Sequence, residues 1–216
     1  GVSWTTPVLI GYGSSYLRMN IDNEDRIYAT WMIGREAYFA YCDKGVWSEY
    51  NQIGLGEYGI SDIKFDENNI LYSSGTCWTD VTPYLFIYDK MVENWIKIEQ
   101  TPCDLDSSTV GDAIAVSNNG LIFLNYSEGS YNSKNQDVHL SFDTMSNEYS
   151  TPYIYGYNNA PEREMYNDRH DYLHLFEKHY YTGGDTMDDM GLLHSIGKNG
   201  VWETTVIDSS NEDYSY

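Results

Sequence analysis

Near neutral pH the side chains of this 216-residue chain best suited to move a proton are its histidines. Four of the five, His170, His174, His179 and His194, crowd into its last quarter. In an extended segment His170 and His174 share one face and His179 takes the other. With Tyr180 they form a candidate acid–base set, an imidazole to accept a proton and a phenol to return one. A second candidate is aromatic: Trp31, Trp78, Tyr126, Tyr131 and Tyr181 lie at or just after apolar runs, where loops begin. Such rings stack on the apolar face of a sugar while neighbouring Asn, Asp and Arg pair with its hydroxyls. A third is acidic. Asp185, Asp188 and Asp189 follow a Gly-Gly pair, and Asp22, Glu24 and Asp25 share a turn, so both runs offer the oxygen ligands that suit Ca²⁺.

Each pattern has a plainer explanation. A strand rich in His and Tyr also packs between sheets, and aromatic residues are what stacked sheets bury. Neither acidic run has the glycine and terminal glutamate of an EF-hand loop. A solvated loop and no cofactor is therefore the expectation, with Ca²⁺ as the alternative.

Charge narrows the partners. The formal net charge is −21, from 33 acidic and 12 basic residues, and such a surface repels phosphate backbones and anionic lipid. Neither nucleic acid nor membrane is an expected partner, and no run is apolar and long enough to span a bilayer. Cys42, Cys77 and Cys103 have no Cys-x-x-Cys spacing, so buried thiols are expected rather than a zinc site or disulfide framework.

The elements that must position these residues show themselves by repetition. An aromatic after a turn recurs at Trp4, Trp47, Trp95, Tyr149 and Trp202, at intervals of 43, 48, 54 and 53 residues. A polar turn recurs in the same phase, at 22–26, 66–69, 117–120 and 167–171. The first three of these turns are entered from strands over 16–21, 60–65 and 113–116 and left along strands over 27–31, 70–72 and 121–126. This is the pattern of a hairpin closed by Asn, Asp or Gly. A third strand follows over 37–41, 84–88, 138–142 and 191–196, and the aromatic-bearing strand makes a fourth.

No helical spacing interrupts this series. Four antiparallel strands per unit of about 40–50 residues predict an all-β fold, a β-propeller of four-stranded blades. Four repeats are visible, 1–44, 45–92, 93–146 and 147–199, plus an extra terminal outer strand in 200–216. A strand over 1–10 would compete with that strand for one slot, which predicts missing blades or self-association through the termini.

The Asp43-Lys44-Gly45-Val46-Trp47 run resembles the Asp-box of sialidase-like, BNR-repeat propellers. Asp89 with Trp95, Asp143 with Tyr149, and Ser195 with Gly200 and Trp202 are degenerate copies. The resemblance implies a propeller in which these boxes are structural. It does not bring sialidase activity, because the five arginines, with Arg26 and Arg169 in turns, do not supply a carboxylate-binding triad. The segment 172–180 also resembles the His-bearing strand of propeller polysaccharide lyases. The expected function is a non-enzymatic extracellular or cell-surface module that binds glycan or protein through its loop face. A polysaccharide lyase or glycoside hydrolase is the alternative, and a structural subunit assembling through its terminal strands is another.

Overall fold

The computed structural model describes residues 6–13, 15–53, 58–77, 83–99, 109–117, 120–128, 136–150, 153–157, 163–170, 172–181, 189–198 and 201–210. Among these residues all regular structure is strand, in four antiparallel sheets that follow one another along the chain. Blade 1 is β1 (Ser15–Ile21), β2 (Ile27–Ile33) and β3 (Glu36–Asp43), with its outer edge broken into β4 (Val46–Trp47) and β5 (Asn51–Gln52). Blade 2 is β6 (Tyr58–Phe65), β7 (Leu71–Cys77), β8 (Pro83–Asp89) and β9 (Asn94–Glu99). In blade 3, β10 (Thr109–Val116), β11 (Leu121–Glu128) and β12 (Gln136–Asp143) are edged by β13 (Glu148–Tyr149) and β14 (Tyr153–Tyr157). Blade 4 is β15 (Arg163–Asn167), β16 (Leu173–Tyr181), β17 (Asp189–Lys198) and β18 (Val201–Ser210).

The sheets run over 15–52, 58–99, 109–157 and 163–210, so the aromatic-bearing strand closes each unit instead of opening it. The expected terminal strand is β18, the outer strand of blade 4. Residues 6–13 form no strand. They run across blade 1, where Ile10 packs beside Trp31, while residues 1–5 of the expected strand over 1–10 lie outside the described residues.

One turn chemistry starts every blade. Asp22, Asp66, Ser117 and Asp168 each donate their backbone amide to the carbonyl four residues on, at 2.8–3.0 Å. Each side chain also accepts the amide four residues on, at Arg26, Ile70, Leu121 and Tyr172. A short side-chain acceptor that mimics the backbone closes the hairpin tightly.

Strand alternation then gives each blade two faces. The front of blade 1, with Tyr28 and Phe39, packs on the back of blade 2, with Ile63, Leu71, Phe86 and Trp95. The front of blade 2, with Tyr72 and Leu85, meets the back of blade 3 at Ile114, Ile122 and Phe142. Ala113, Ala115 and Phe123 of blade 3 meet Met165, Leu173 and Leu175 of blade 4. A single sheet cannot bury both faces, so blade-on-blade contact supplies the core.

Candidate functional site

Two groups of chemistry-bearing side chains stand out, one on each terminal blade. On the front of blade 4, Tyr166 lies directly opposite His174 across β15 and β16, and Phe176 lies opposite His194 across β16 and β17. The opposed rings are stacked, with centroids 4.6 Å apart at 1° and 4.4 Å apart at 8°. His174 Nδ1 and His194 Nε2 are 3.0 Å apart, and the ring centroids are 5.2 Å apart with planes 10° from parallel. The centroid distance exceeds the N···N distance by about one ring diameter, which places the rings edge to edge in one plane, in N–H···N hydrogen-bond geometry. His174 Nε2 lies 3.4 Å from Asp168 Oδ2.

One proton arrangement satisfies this chain when both imidazoles are neutral: His174 Nε2–H donates to Asp168 and His194 Nε2–H donates to His174 Nδ1. Burial, then its nearness to the His174 ring, pulls the pKa of His194 below its usual value, which favours its neutral form. Burial opposes, but the amides of Tyr172 and His170 and the His174 ring hold the Asp168 carboxyl below the usual range.

The repeat explains how Asp168 comes to hold His174. Six residues after the turn aspartate stand Tyr28 in blade 1, Tyr72 in blade 2 and His174 in blade 4. Tyr28 and Tyr72 donate their hydroxyls to Asp22 and Asp66 at 3.2 and 3.4 Å. His174 therefore occupies a structural position of the blade, and its carboxylate contact is the one that two buried tyrosines also make.

The second group lies on blade 1. Trp31, Tyr38 and Tyr50 touch one another with centroids 5.7–6.5 Å apart. Trp31 Nε1 donates to the Tyr12 carbonyl at 3.0 Å, and the Tyr38 hydroxyl donates to Glu36 at 2.7 Å. A Cβ on Gly11 or Gly13 would come within 2.4 or 2.5 Å of the Trp31 ring, so only glycine lets residues 11–13 lie on the indole. Trp31 is thereby buried, while Tyr50 keeps 43% of its surface and Tyr12 71%.

The other expected residues are scattered. His170 is exposed in the turn before β16, and its ring accepts from Arg169 at 3.1 Å. Tyr180 pairs with Met190 near the far end of β16, about 20 Å of backbone along the strand from His174 at the usual rise per residue, and its side chain lies outside the described residues. Tyr126 is buried in the core between blades 2 and 3, and its ring packs there instead of facing a ligand. Tyr181 ends β16 and Asp189 begins β17, and their side chains lie outside the described residues, as do Trp78, Tyr131, Asp185 and Asp188 altogether. Among the described residues no three His, Cys, Asp or Glu side chains are grouped as metal ligands.

No protein-family model matches the chain, and no curated protein does. Solved structures do. An ulvan lyase of a polysaccharide lyase family aligns with a TM-score of 0.59 at 11% identity, covering 92% of this chain and 58% of that one. An α-L-arabinanase of Penicillium chrysogenum in complex with arabinobiose gives 0.62 at 12%, covering 88% and 65%. The hydrazine synthase of Kuenenia stuttgartiensis gives 0.66 at 10%, covering 88% and 54%. The chain folds as a β-propeller. It spans little more than half the length of the lyase and the synthase, and identities this low extend the likeness to fold alone.

Proposed function

We propose that this propeller is an extracellular module that recognises a neutral glycan by binding, without turning it over. The Trp31–Tyr38–Tyr50 cluster carries this reading: it combines a half-open tyrosine face, an immobilised indole base and a carboxylate, Glu36, that can accept a sugar hydroxyl. Trp31, the one ring of the expected aromatic set that the described residues place in this cluster, lies near the end of β2. The glycan ligands named for the similar structures, arabinobiose and a uronate- and sulfate-bearing ulvan unit, set the two classes to compare. A net charge of −21 repels the second class and leaves the first. The Asp-box likeness at 43–47 belongs to this reading as a structural turn of the scaffold.

The test is calorimetric titration with arabino-oligosaccharides and with ulvan fragments, on the natural chain and on Tyr50→Ala. The neutral sugar is expected to bind and the variant to lose at least tenfold in affinity, since an aromatic stacking contact is worth roughly 1–3 kcal/mol where ring faces have been removed by alanine substitution. Absence of neutral-sugar binding, or an unchanged Tyr50→Ala, would overturn it.

One observation favours catalysis instead: the Asp168–His174–His194 chain carries the half-exposed Tyr166 ring stacked on its middle imidazole, His174. Product released from either polymer and lost in His194→Gln would establish a lyase or hydrolase. Binding without any product supports the first reading.

A further inference from the structure

In an antiparallel blade the turns after the first and third strands lie at one end, and the turn after the second lies at the other. The first of these ends is the far end of β2 from Trp31. Its turns are tied to one another. The Asn23 amide donates to the Asn69 side chain at 3.1 Å and the Lys90 ammonium donates to Asp22 at 3.3 Å, which joins blade 1 to blade 2. The Thr144 amide and hydroxyl both donate to the Gly120 carbonyl in blade 3, and the Lys198 ammonium donates to the His170 carbonyl in blade 4.

On this braced end stand the three most exposed large apolar side chains of the described residues, Met91 at 92%, Met145 at 87% and Val46 at 72%. They share one place in the repeat, two or three residues after Asp89, Asp143 and Asp43, the aspartates that end the third strands. Asp89 and Asp143 accept the amides of Met91 and Met145 at 2.8 Å, which fixes the backbone beneath each thioether. Side chains this exposed add nothing to the packing of the blades. Charge at this end is sorted as well. Arg26 pairs with Glu24 and Asp43, Lys90 lies over the Tyr28 and Phe65 rings and Lys198 over the Tyr172 ring, so these cations turn onto their own chain. Asp25, Glu67, Glu93 and Glu148 are exposed, with Lys44 and Arg169 as exposed cations among them. An approaching molecule therefore meets apolar tips in an acidic field.

We infer that this end of the propeller docks a basic amphipathic segment of a partner protein, with apolar side chains on Met91, Met145 and Val46 and Lys or Arg beside the acidic groups. Methionine suits the task, because its unbranched thioether adapts to an irregular apolar face. The net charge of −21 that attracts such a segment repels a second copy of this chain and repels an anionic lipid surface. Blades stack face on face in this fold, so a further blade lies beside these turns and not upon them.

The experiment is fluorescence anisotropy with a labelled peptide of about 18 residues, Leu and Lys at helical spacing, roughly 27 Å long as a helix. A Ser and Lys peptide of the same charge is the control, and both are titrated with the natural chain and with Met91→Ser/Met145→Ser. Both positions are exposed, and thermal melts within a few degrees of the natural chain certify that the variant folds. The Leu/Lys peptide is expected to bind the natural chain at least tenfold more tightly than the Ser/Lys peptide, and the variant to erase that difference. Peroxide oxidation read by mass spectrometry maps the contact. Met91 and Met145 are expected to oxidise first and to be protected by the Leu/Lys peptide, with the buried Met32 and Met165 as internal references. Equal binding of the two peptides, a preference that survives in the variant, or methionines that oxidise as fast with the peptide as without it would each overturn the proposal. Self-association of the natural chain, or its binding to phosphatidylcholine vesicles, that is lost in the variant would overturn it in favour of a second copy or a lipid surface.

Discussion

Asp22 is a buried carboxylate that serves two blades. Its Oδ1 accepts the amides of Glu24 and Arg26 at 2.9 Å, and its Oδ2 takes the Tyr28 hydroxyl, the Asn69 amide at 3.3 Å and the Lys90 ammonium at 3.3 Å. Burial alone would raise its pKa, but the two amides and Lys90 outweigh it and hold the carboxyl below the usual range. Asp22→Asn should therefore cost about 3 kcal/mol at pH 7, the lower end for breaking a buried pair, since Lys90 keeps some access to water. For a chain of this size that lowers Tm by roughly 6–12 °C. The folded-state pKa is depressed, so the stabilisation is complete above the unfolded-state pKa and is lost as pH falls through the folded one. The gap between natural chain and variant should close in melts below about pH 4, and a gap constant with pH would show that the charge is not what Asp22 contributes. Sequence alone shows Asp22 only as one acid in an acidic turn. Its two blade 2 partners, Asn69 and Lys90, lie 47 and 68 residues away and become neighbours only when blades 1 and 2 pack.

Among the elements, the turns between third and fourth strands show how the blades tolerate poor local choices. Lys44, Glu93 and Asn147 all sit in the left-handed region, at φ of 51°, 51° and 58°. Asp89 and Asp143 brace the longer turns by accepting the amides of Met91 and Met145 at 2.8 Å. Asn tolerates that conformation and Glu does not, at a cost of about 1–2 kcal/mol for an ordinary side chain. Glu93 is exposed, so Glu93→Gly removes strain without removing a buried contact. The substitution should raise Tm by roughly 2–4 °C, for about 1 kcal/mol gained against the greater chain entropy of glycine. A melt unchanged or lowered would mean that Glu93 makes a compensating contact. These turns were legible in the sequence because aspartate, asparagine and glycine have few other uses at such spacing. The strands bounded by two apolar faces, such as β2 and β11, were legible for the same kind of reason. β15 was not, since among its described side chains Met165 alone is fully buried and the segment reads as polar. The blade 4 ring row was missed because Tyr166, His174 and His194 come from three strands and share a face only through register.

For the whole molecule the dominant physical fact is a net charge of −21 on a fold whose core is divided among separate blade interfaces. Self-repulsion opposes the compact state, and its range falls from about 30 Å at 0.01 M salt to about 8 Å at 0.15 M. Thermal stability should therefore climb with added sodium chloride and level off once the screening length is shorter than the spacing between acidic groups. The same series run with calcium chloride at matched ionic strength separates screening from a bound ion. Asp185, Asp188 and Asp189 as a solvated loop require the two salts to give superimposable curves, since a diffuse ion atmosphere has no site to fill. A calcium site in that loop would add RT ln(1 + [Ca²⁺]/Kd) on top of the screening curve, about 2.7 kcal/mol at a hundred times Kd. That excess would saturate, vanish on chelation and vanish again in Asp188→Asn, three properties that charge screening lacks. A Tm that falls or stays flat in sodium chloride would instead mean that the acidic groups are already compensated by ion pairs across the blades.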